Sequence, residues 1–260
     1  MIYALIVVYN KKCEDSQTIC SLMNRSSCGN LKCIIYDNST NEYGNADFCE
    51  KHHFAYYTQG KNLGLSRAYN CVVETLKGEK GYLLVLDDDT ELSEEFFQEL
   101  ERIEHRGEPG IYVPIVRAGN ILLSPSMVKH NSGSAVLKSI DDLKMDRITA
   151  INSGMVVDLR VYDKIRYNED LFLDCVDHAF MRDARLNGIP ITVMQSTIDQ
   201  HYSRKEKGEL GPALKRFSIY KRDFRKYAEL CHGMPFYYVS MLKLRLSNTL
   251  KYRTTAFLHD

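Results

Sequence analysis

The sequence predicts an α/β protein with a mostly parallel central sheet flanked by helices. Three observations predict this fold class. Short runs of β-branched and aliphatic residues, typical of strands buried on both faces, alternate with segments of helical period. Several of these runs stop at a polar cluster, as strands do at a ligand-binding edge. Finally, the order strand, helix, strand, strand, helix, strand in the first half is that of a doubly wound sheet.

The elements of the first half follow from these runs. Ile2–Tyr9 is the first predicted strand, and the helix after it covers about Asp15 to Arg25. The next strands are Leu31–Tyr36 and Phe54–Thr58, and a helix ending near Leu76 follows. The fourth strand, Tyr82–Leu86, is the most apolar, and an acidic helix over Leu92–Ile103 comes after it.

The second half is less regular. We predict strands over 111–116 and 191–194, and a turn that enters a strand over 151–157. A helix is expected to open at Phe172 and to run to Asn187, before Gly188 and Pro190. The polar segment Ser124–Ile148 is interpreted as a flexible loop over the site. Helical periods over 214–230 and 237–250 indicate a helical C-terminal appendage, residues 212–260, beyond a main domain of residues 1–211.

Three consecutive carboxylates, Asp87–Asp89, follow the strand Tyr82–Leu86 directly. Three acids cannot lie in a core, because burying one unpaired carboxylate costs several kcal/mol. They are therefore expected at the carboxyl end of the strand, where a Mg²⁺ or Mn²⁺ ion would relieve their repulsion and take diphosphate oxygens. The alternative is that Asp89 or Thr90 caps the following helix, which leaves Asp87 and Asp88 unexplained.

Polar residues also end the first two strands, at Tyr9-Asn10 and at Asp37-Asn38. Together with the acids they predict a nucleotide-sized crevice at one edge of the sheet. Asp37 is placed to accept a hydrogen bond from a base or a ribose, and Arg67 to face a diphosphate. The segment Gly60–Gly64 has too few glycines for a P-loop or a dinucleotide-binding turn, which disfavours ATPases and dehydrogenases.

The charge of the chain limits its possible binding partners, and its cysteine content indicates its cellular compartment. The net charge of zero argues against a general nucleic-acid binder. Residues 213–260 nevertheless carry ten Lys and Arg against three acids, a net charge of +7. That excess indicates an anionic partner such as a membrane surface, or simply a solvated helical face. The aromatic stripe Phe217, Tyr220, Phe224 and Tyr227 is expected to pack on the main domain.

Eight cysteines without a CxxC pair, and no visible signal or spanning segment, predict a cytoplasmic protein with reduced thiols.

Several segments, taken together and in this order, resemble one family. The first half contributes IVVYN ending at Asn10, DNS at 37–39, NLGLSRAYN at 62–70 and LDDDTEL at 86–92. The second half contributes NSG at 152–154, FLDCVD at 172–177 and RFSIYKRDF at 216–224. The chain thereby resembles a family 2 glycosyltransferase of the GT-A (Rossmann-like) fold, and most closely its bacterial rhamnosyltransferase branch.

The resemblance implies roles for individual residues. Asp37 would bind the nucleoside, Asp87 and Asp89 would form the DXD element with Asp89 as the more direct metal ligand, and Asp88 would contact the ribose or diphosphate. Asp177 would be the catalytic base and His201 a metal ligand. The donor site implied in this way comprises Tyr9, Asn10, Asp37, Asn62, Gly64, Arg67, Asp87, Asp88, Ser153 and Gly154. Residues 1–110 would form the half that binds the nucleotide sugar, and residues 111–211 the acceptor half.

The implied reaction is inverting, metal-dependent transfer of a sugar, with rhamnose favoured, from a dTDP- or UDP-linked donor. The acceptor would be a hydroxyl of a growing polysaccharide or a lipid-linked glycan, in cell-envelope polysaccharide biosynthesis. Asp174 lies three residues before Asp177, so the two would share a face if both were helical, and their proximity would raise the pKa of one of them, which suits a base. Ala179 departs from the family, many of whose members have an acid there. Residues 213–260 would supply a peripheral contact with the inner membrane face or, equally, a homodimer interface.

Two other functions remain open at this stage. A nucleotidyltransferase acting on sugar phosphates also uses acids and Mg²⁺, but it would bring a glycine-rich basic loop after the first strand, and Tyr9–Lys12 has no glycine. A catalytically inactive, glycan-binding scaffold of the same fold is disfavoured by the intact acids at positions 87–89 and 177.

Overall fold

The computed structural model describes residues 1–24, 30–200 and 209–259. Its strands are β1 (Ile2–Val8), β2 (Leu31–Asp37), β3 (Ala55–Thr58), β4 (Tyr82–Leu86), β5 (Ile111–Ala118), β6 (Ile121–Ser124), β7 (Ser126–Lys129), β8 (Gly133–Ala135), β9 (Ile148–Thr149), β10 (Met155–Asp158) and β11 (Ile191–Asp199). Its α-helices are α1 (Gln17–Met23), α2 (Asn45–Lys51), α3 (Leu65–Thr75), α4 (Glu94–Arg106), α5 (Val176–Leu186), α6 (Leu210–Leu230), α7 (Met234–Tyr252) and α8 (Ala256–His259).

The main sheet has the strand order β11-β5-β10-β4-β1-β2-β3, and β6 pairs with the C-terminal end of β5. Strand β1 lies between β4 and β2 and is parallel to both. Strand β10 is antiparallel to both of its neighbours, β4 and β5. The predicted fold class, a mostly parallel sheet flanked by helices, is confirmed.

Strands β1 and β4 are apolar throughout because the sheet is covered on both faces. Alternate residues point to opposite sides of a strand. Tyr3 and Leu5 accordingly join the core on the side of α3 and α5, whereas Ala4 and Ile6 join the core on the side of α1 and α4. With the apolar layers on both sides, the polar residues that follow each strand are confined to its carboxyl end.

The structure corrects two expectations. Residues 124–148 are not a plain loop, because β7 pairs with β8 and β9 in a small antiparallel sheet. Helix α5 begins at Val176 rather than at Phe172, and Cys175 precedes it with a left-handed φ of 61°. Asp174 therefore lies before the helix, and the shared helical face expected for Asp174 and Asp177 does not exist.

The C-terminal helices pack on the main domain. Phe217, Phe224 and Tyr227 of α6 are buried in the core on the α5 side, which confirms the predicted packing of the aromatic stripe. Helix α7 packs along α6, and the short α8 contacts both. None of the helices in the described part of the chain combines the length and apolar character needed to cross a bilayer.

Candidate active site

The acidic segment after β4 is held in place by hydrogen bonds to its backbone. The Thr18 hydroxyl lies 2.6 Å from the carbonyl oxygen of Asp87 and accepts the Thr90 amide at 2.9 Å. Ser16 donates to the carbonyl oxygen of Asp88 at 2.7 Å. The cap of helix α4 is Ser93, whose hydroxyl accepts the Phe96 amide. The helix-capping interpretation of Asp89 and Thr90 is therefore wrong.

Within the described part of the chain, the Asp87 carboxylate has two hydrogen-bond partners, both of them neutral. It accepts hydrogen bonds from the Ser153 hydroxyl and from Gln200 Nε2, the latter at 3.3 Å. Burial raises the pKa of Asp87 to about 6, opposed by the Ser153 hydrogen bond and reinforced by the charges of Asp89, Asp177 and Asp88. The neutral partners do not compensate the ionised form, so the site has an excess of negative charge.

The other two acids face different surroundings. Asp88 forms an ion pair with Lys11, with 2.8 Å between Nζ and Oδ2. Asp89 is exposed. The three side chains thus diverge from the end of β4, and Asp87 is the one directed toward the second half of the chain.

Ser153 reaches Asp87 because Gly154 fits closely behind the end of the sheet. Gly154 donates its amide to the Val85 carbonyl at 2.9 Å and has a φ of +78°. A Cβ there would lie 2.4 Å from Ile198 Cδ1. The NSG turn at 152–154 therefore positions a hydroxyl on Asp87 and needs glycine to do so.

Asp177 lies in the first turn of α5, close enough to Asp87 for its charge to act on that carboxyl. The buried Tyr69 links them: burial first, and then the charges of Asp87 and Asp177 among others, raise the pKa of its phenol well above the usual value. Asp177 borders a cavity of about 370 Å³ lined also by Asp174, Tyr220, Phe224 and Phe236. The strand-end acids and the proposed base therefore share one region, with room beside the base.

Asp37 ends β2 and is almost fully buried. Its carboxylate accepts the Ser39 amide at 2.9 Å, Asn45 Nδ2 at 2.7 Å and the Tyr56 hydroxyl at 3.2 Å. It borders a cavity of about 480 Å³. Ser39 also accepts the Asn10 amide at 2.8 Å, which ties the end of β1 to the end of β2, while Tyr9 is exposed.

The loop before α3 is fixed by amide side chains. Asn38 accepts the Leu63 amide at 3.1 Å and donates to the Gly64 carbonyl at 3.2 Å. Asn62 accepts the Gly64 amide at 2.9 Å. The predicted donor residues Asn62 and Gly64 are thus connected through Asn38 to the strand end that carries Asp37.

Three predicted residues lie elsewhere or cannot be placed. The exposed Arg67 is directed to Glu169, with 3.5 Å between Nε and Oε2. Asp174 is held in an ion pair by Arg216, whose Nη2 lies 2.7 Å from Oδ1. His201 lies outside the described residues. Over the residues that are described, no three His, Cys, Asp or Glu side chains form a ready-made metal cluster.

The sequence interpretation missed four residues of this region: Lys11, Tyr69, Gln200 and Asp223. Lys11 follows β1, so its position beside the other strand ends was a usable signal. Tyr69 lies within the segment NLGLSRAYN at 62–70, which gave it no role of its own, and Gln200 carries no local pattern that separates it from ordinary surface residues. Asp223 lies in the segment 216–224 that contributed to the family resemblance, but nothing in that segment assigned a role to this acid.

Comparison with known proteins shows that the chain is a glycosyltransferase of the GT-A fold. The sequence profile of Glycosyl transferase family 2 matches residues 3–163, and the chain belongs to that family. No curated protein sequence matches it.

Solved structures with similar folds are glycosyltransferases of low sequence identity. Residues 1–349 of S. aureus TarS superpose with a TM-score of 0.54 at 15% identity, over 85% of this chain and 64% of that one. The same TarS portion in complex with UDP-GlcNAc gives a TM-score of 0.52 at 14% identity, over 85% and 65%. GalNAc-T7 with UDP, GalNAc and Mn²⁺ gives 0.64 at 11% identity, over 88% and 47%. The chain thus spans less than two thirds of each of these proteins.

Proposed function

We propose that the protein is an inverting, metal-dependent hexosyltransferase that uses a UDP- or dTDP-linked sugar as donor. The observation that carries the proposal is the approach of two acidic groups from separate halves of the chain. Asp87 ends β4 and Asp177 begins α5, and the charge of Asp177 contributes to the raised pKa of Asp87. One group serves the leaving diphosphate and the other the attacking hydroxyl.

The acids after β4 suit a hard divalent cation. Mg²⁺ and similar ions are bound by one or two carboxylates together with substrate phosphates. Asp89 is exposed, and Asp87 beside it has neutral partners and a pKa raised to about 6, which marks a place where positive charge would be stabilising. Asp87 and Asp89 would hold the ion, with His201 as a further ligand. A bound Mg²⁺ or Mn²⁺ supplies Lewis-acid stabilisation of the diphosphate as it leaves.

The protein's own residues provide the rest of the chemistry. Asp177 accepts the proton of the acceptor hydroxyl as it attacks the anomeric carbon from the face opposite the diphosphate, which inverts the configuration. Such help from a general base is worth about 10² to 10⁴-fold in rate. Asp37 holds the nucleoside from the cavity beside β2, and Ser153 orients Asp87.

The donor and acceptor follow from less specific features. The motif resemblance favours rhamnose, whereas two of the similar structures contain UDP or UDP-GlcNAc, so both nucleotides belong in the test. The cavity beside Asp177 has aromatic walls and carboxylates, which suits a sugar hydroxyl. We place the acceptor among growing polysaccharides or lipid-linked glycans of the cell envelope.

Donor hydrolysis tests the proposal. The purified chain is incubated with UDP-glucose, UDP-galactose, UDP-GlcNAc and dTDP-rhamnose, with and without Mn²⁺, and release of the nucleoside diphosphate is measured. We expect Mn²⁺-dependent release from at least one donor and its loss in Asp89→Asn. Formation of pyrophosphate from a nucleoside triphosphate and a sugar phosphate would instead identify a nucleotidyltransferase. Absence of both reactions would favour a glycan-binding scaffold.

Helix α7 carries a surface that suits the proposed membrane contact. Its large exposed apolar side chains form one stripe at helical spacing, namely Tyr238, Val239, Leu242, Leu246 and Leu250. Lys243 and Arg245 flank the stripe on the helix surface, within a region whose net charge is +7. An apolar stripe between basic residues matches an anionic lipid surface, and the positive charge disfavours a second copy of the same face. We propose that this stripe holds a cytoplasmic enzyme at the inner membrane face.

Vesicle sedimentation tests this surface. We expect the protein to sediment with vesicles that contain phosphatidylglycerol, but not with pure phosphatidylcholine, and the triple variant Leu242→Gln, Leu246→Gln, Leu250→Gln to stay in solution. Equal sedimentation of the variant would overturn the proposal. If wild type forms dimers in analytical ultracentrifugation and the variant does not, the stripe is instead a homodimer interface.

A further inference from the structure

Asp223 of α6 is a buried carboxylate with an unusual set of partners. Its side chain is fully buried. Oδ2 accepts the backbone amides of Phe172, Leu173 and Asp174 at 3.1, 2.7 and 3.0 Å. Oδ1 accepts Nε and Nη2 of the neighbouring Arg222 at 3.1 and 2.9 Å.

Three consecutive amides that converge on one oxygen form an anion-binding concavity in the backbone. Burying a carboxylate is costly unless hydrogen bonds and a positive charge compensate it, and here both do. The conformation of residues 172–174 therefore depends on a carboxylate of α6, which lies about fifty residues later in the chain.

The segment held in this way connects the two halves of the candidate site. On one side, the Phe172 carbonyl accepts the Leu65 amide at 2.6 Å, next to the Gly64 turn, and the Arg222 guanidinium lies over the Phe172 ring at 5.3 Å. On the other side, the left-handed Cys175 starts α5, whose first turn carries Asp177. A shift of residues 172–174 would move the start of α5, and with it the Asp177 carboxylate.

We propose that Asp223 is a positioning residue for glycosyl transfer: its carboxylate fixes residues 172–174 and thereby sets the orientation of Asp177 toward the donor site. The role of Asp177 in this statement rests on the proposed function. Asp223 acts through the backbone and does not contact the substrate. The C-terminal helix α6 is thus a functional part of the enzyme.

The test compares Asp223→Asn with a matched control, Asp158→Asn. Asp158 is also buried and also paired with an adjacent arginine, since it accepts the Arg160 amide and side chain at 2.8 Å. It pairs with Tyr82, the first residue of β4, and therefore lies at the end of β4 opposite the candidate site. Both variants lose a buried charge and a salt bridge, but only Asp223 accepts hydrogen bonds from residues 172–174.

Two measurements are made on both variants and on wild type. Hydrogen exchange followed by mass spectrometry reports the amides of residues 172–174 without any substrate. Hydrolysis of the four sugar nucleotides named above, with Mn²⁺, reports kcat and KM. We expect at least tenfold faster exchange of residues 172–174 in Asp223→Asn only. We also expect its kcat to fall at least tenfold, with a smaller change in donor KM, while Asp158→Asn stays within about twofold of wild type in both.

The outcomes separate this proposal from the proposed function. Unchanged exchange of residues 172–174 in Asp223→Asn would overturn the proposal. So would equal losses of kcat in the two variants once activity is normalised to folded protein, because Asp223 would then contribute only general stability. If wild type hydrolyses no donor, the proposed function fails, while the exchange data still decide whether Asp223 fixes the loop.

Discussion

The end of β4 carries one shielded carboxylate, Asp87, and the loop before α5 is held by another, Asp223 of α6; the two are compensated in opposite ways. Asp87 has neutral hydrogen-bond partners, Ser153 and Gln200, and acidic neighbours. Asp223 has three backbone amides and an arginine. The first carboxylate is under-compensated in the folded protein, and the second is fully compensated.

The difference separates a binding group from a structural one. A carboxylate that the protein itself neutralises contributes to folding, whereas one left with excess negative charge is completed by a ligand. The distinction also separates two roles in the enzyme. The acids and polar residues that end β1, β2 and β4 (the strand-end region) bind the ligand. Residues 172–174 together with Asp223 (the loop region) orient Asp177. Four predictions test this contrast, from the largest expected effect to the smallest.

The largest effect is expected for Asp177→Asn, which removes the proposed base but keeps the shape of the side chain. Sugar transfer should fall by about 10² to 10⁴-fold, the usual contribution of general-base catalysis. Binding of UDP with Mn²⁺, measured by titration calorimetry, should be nearly intact because the strand-end region is unaltered. Transfer at a rate near wild type would show that Asp177 is not the base.

Asp223→Ala should lower the free energy of unfolding by about 3–5 kcal/mol, because three backbone amides would lose a buried, charged acceptor and each unsatisfied donor costs about 1–3 kcal/mol. Three amides and the Arg222 guanidinium would lose their acceptor. Urea denaturation followed by circular dichroism measures the change. A loss under about 1 kcal/mol, the value typical of an exposed ion pair, would contradict the structural role assigned to this carboxylate.

Gly64→Ala should destabilise the protein by about 1–3 kcal/mol, because it combines a left-handed backbone with a close contact. The new Cβ would lie 2.4 Å from the Phe172 carbonyl oxygen. Gly60→Ala is the matched control: its φ is also positive, at +63°, but nothing lies within 4 Å of the added atom. Equal thermal shifts in the two variants would show that the turn before α3 and the loop before α5 are not tightly packed.

Asp87→Asn should make the ligand-free protein more stable at pH 8 while abolishing Mn²⁺-dependent nucleotide binding. The pKa of Asp87 is raised to about 6, so the stability that its protonated form contributes is complete below the ordinary value near 3.8 and is lost as pH rises through about 6. Asparagine cannot ionise and avoids this loss, which we expect to be about 1–2 kcal/mol for a half-buried group.

The same experiment at pH 5 provides the internal control for this prediction. Asp87 is mostly protonated there, so the advantage of the variant over wild type should shrink. Urea denaturation at both pH values measures it. Lower stability of the variant at pH 8 would show that the ionised carboxylate is already compensated within the fold.

Sequence reasoning predicted the position of the strand-end residues because the signals for that position are local. The apolar run Tyr82–Leu86 and the acids after it are contiguous, and Asp37 is held partly by Ser39, two residues away. The loop region depends on contacts across large separations, such as Arg216 with Asp174 and Asp223 with residues 172–174. No periodicity encodes such pairs. The start of α5 was misplaced because the residue with left-handed φ before it is a cysteine, Cys175, rather than a glycine that would have marked the position.

The anchoring of residues 172–174 by α6 bears on how such enzymes diversify. A terminal helix that merely covered a core could be exchanged between relatives with little penalty. Here the exchange would also have to carry over a matching anion and the amide concavity that receives it. Recombination at the junction before Leu210 should therefore yield active chimeras only when the carboxylate of α6 and the amides that it accepts come from the same parent.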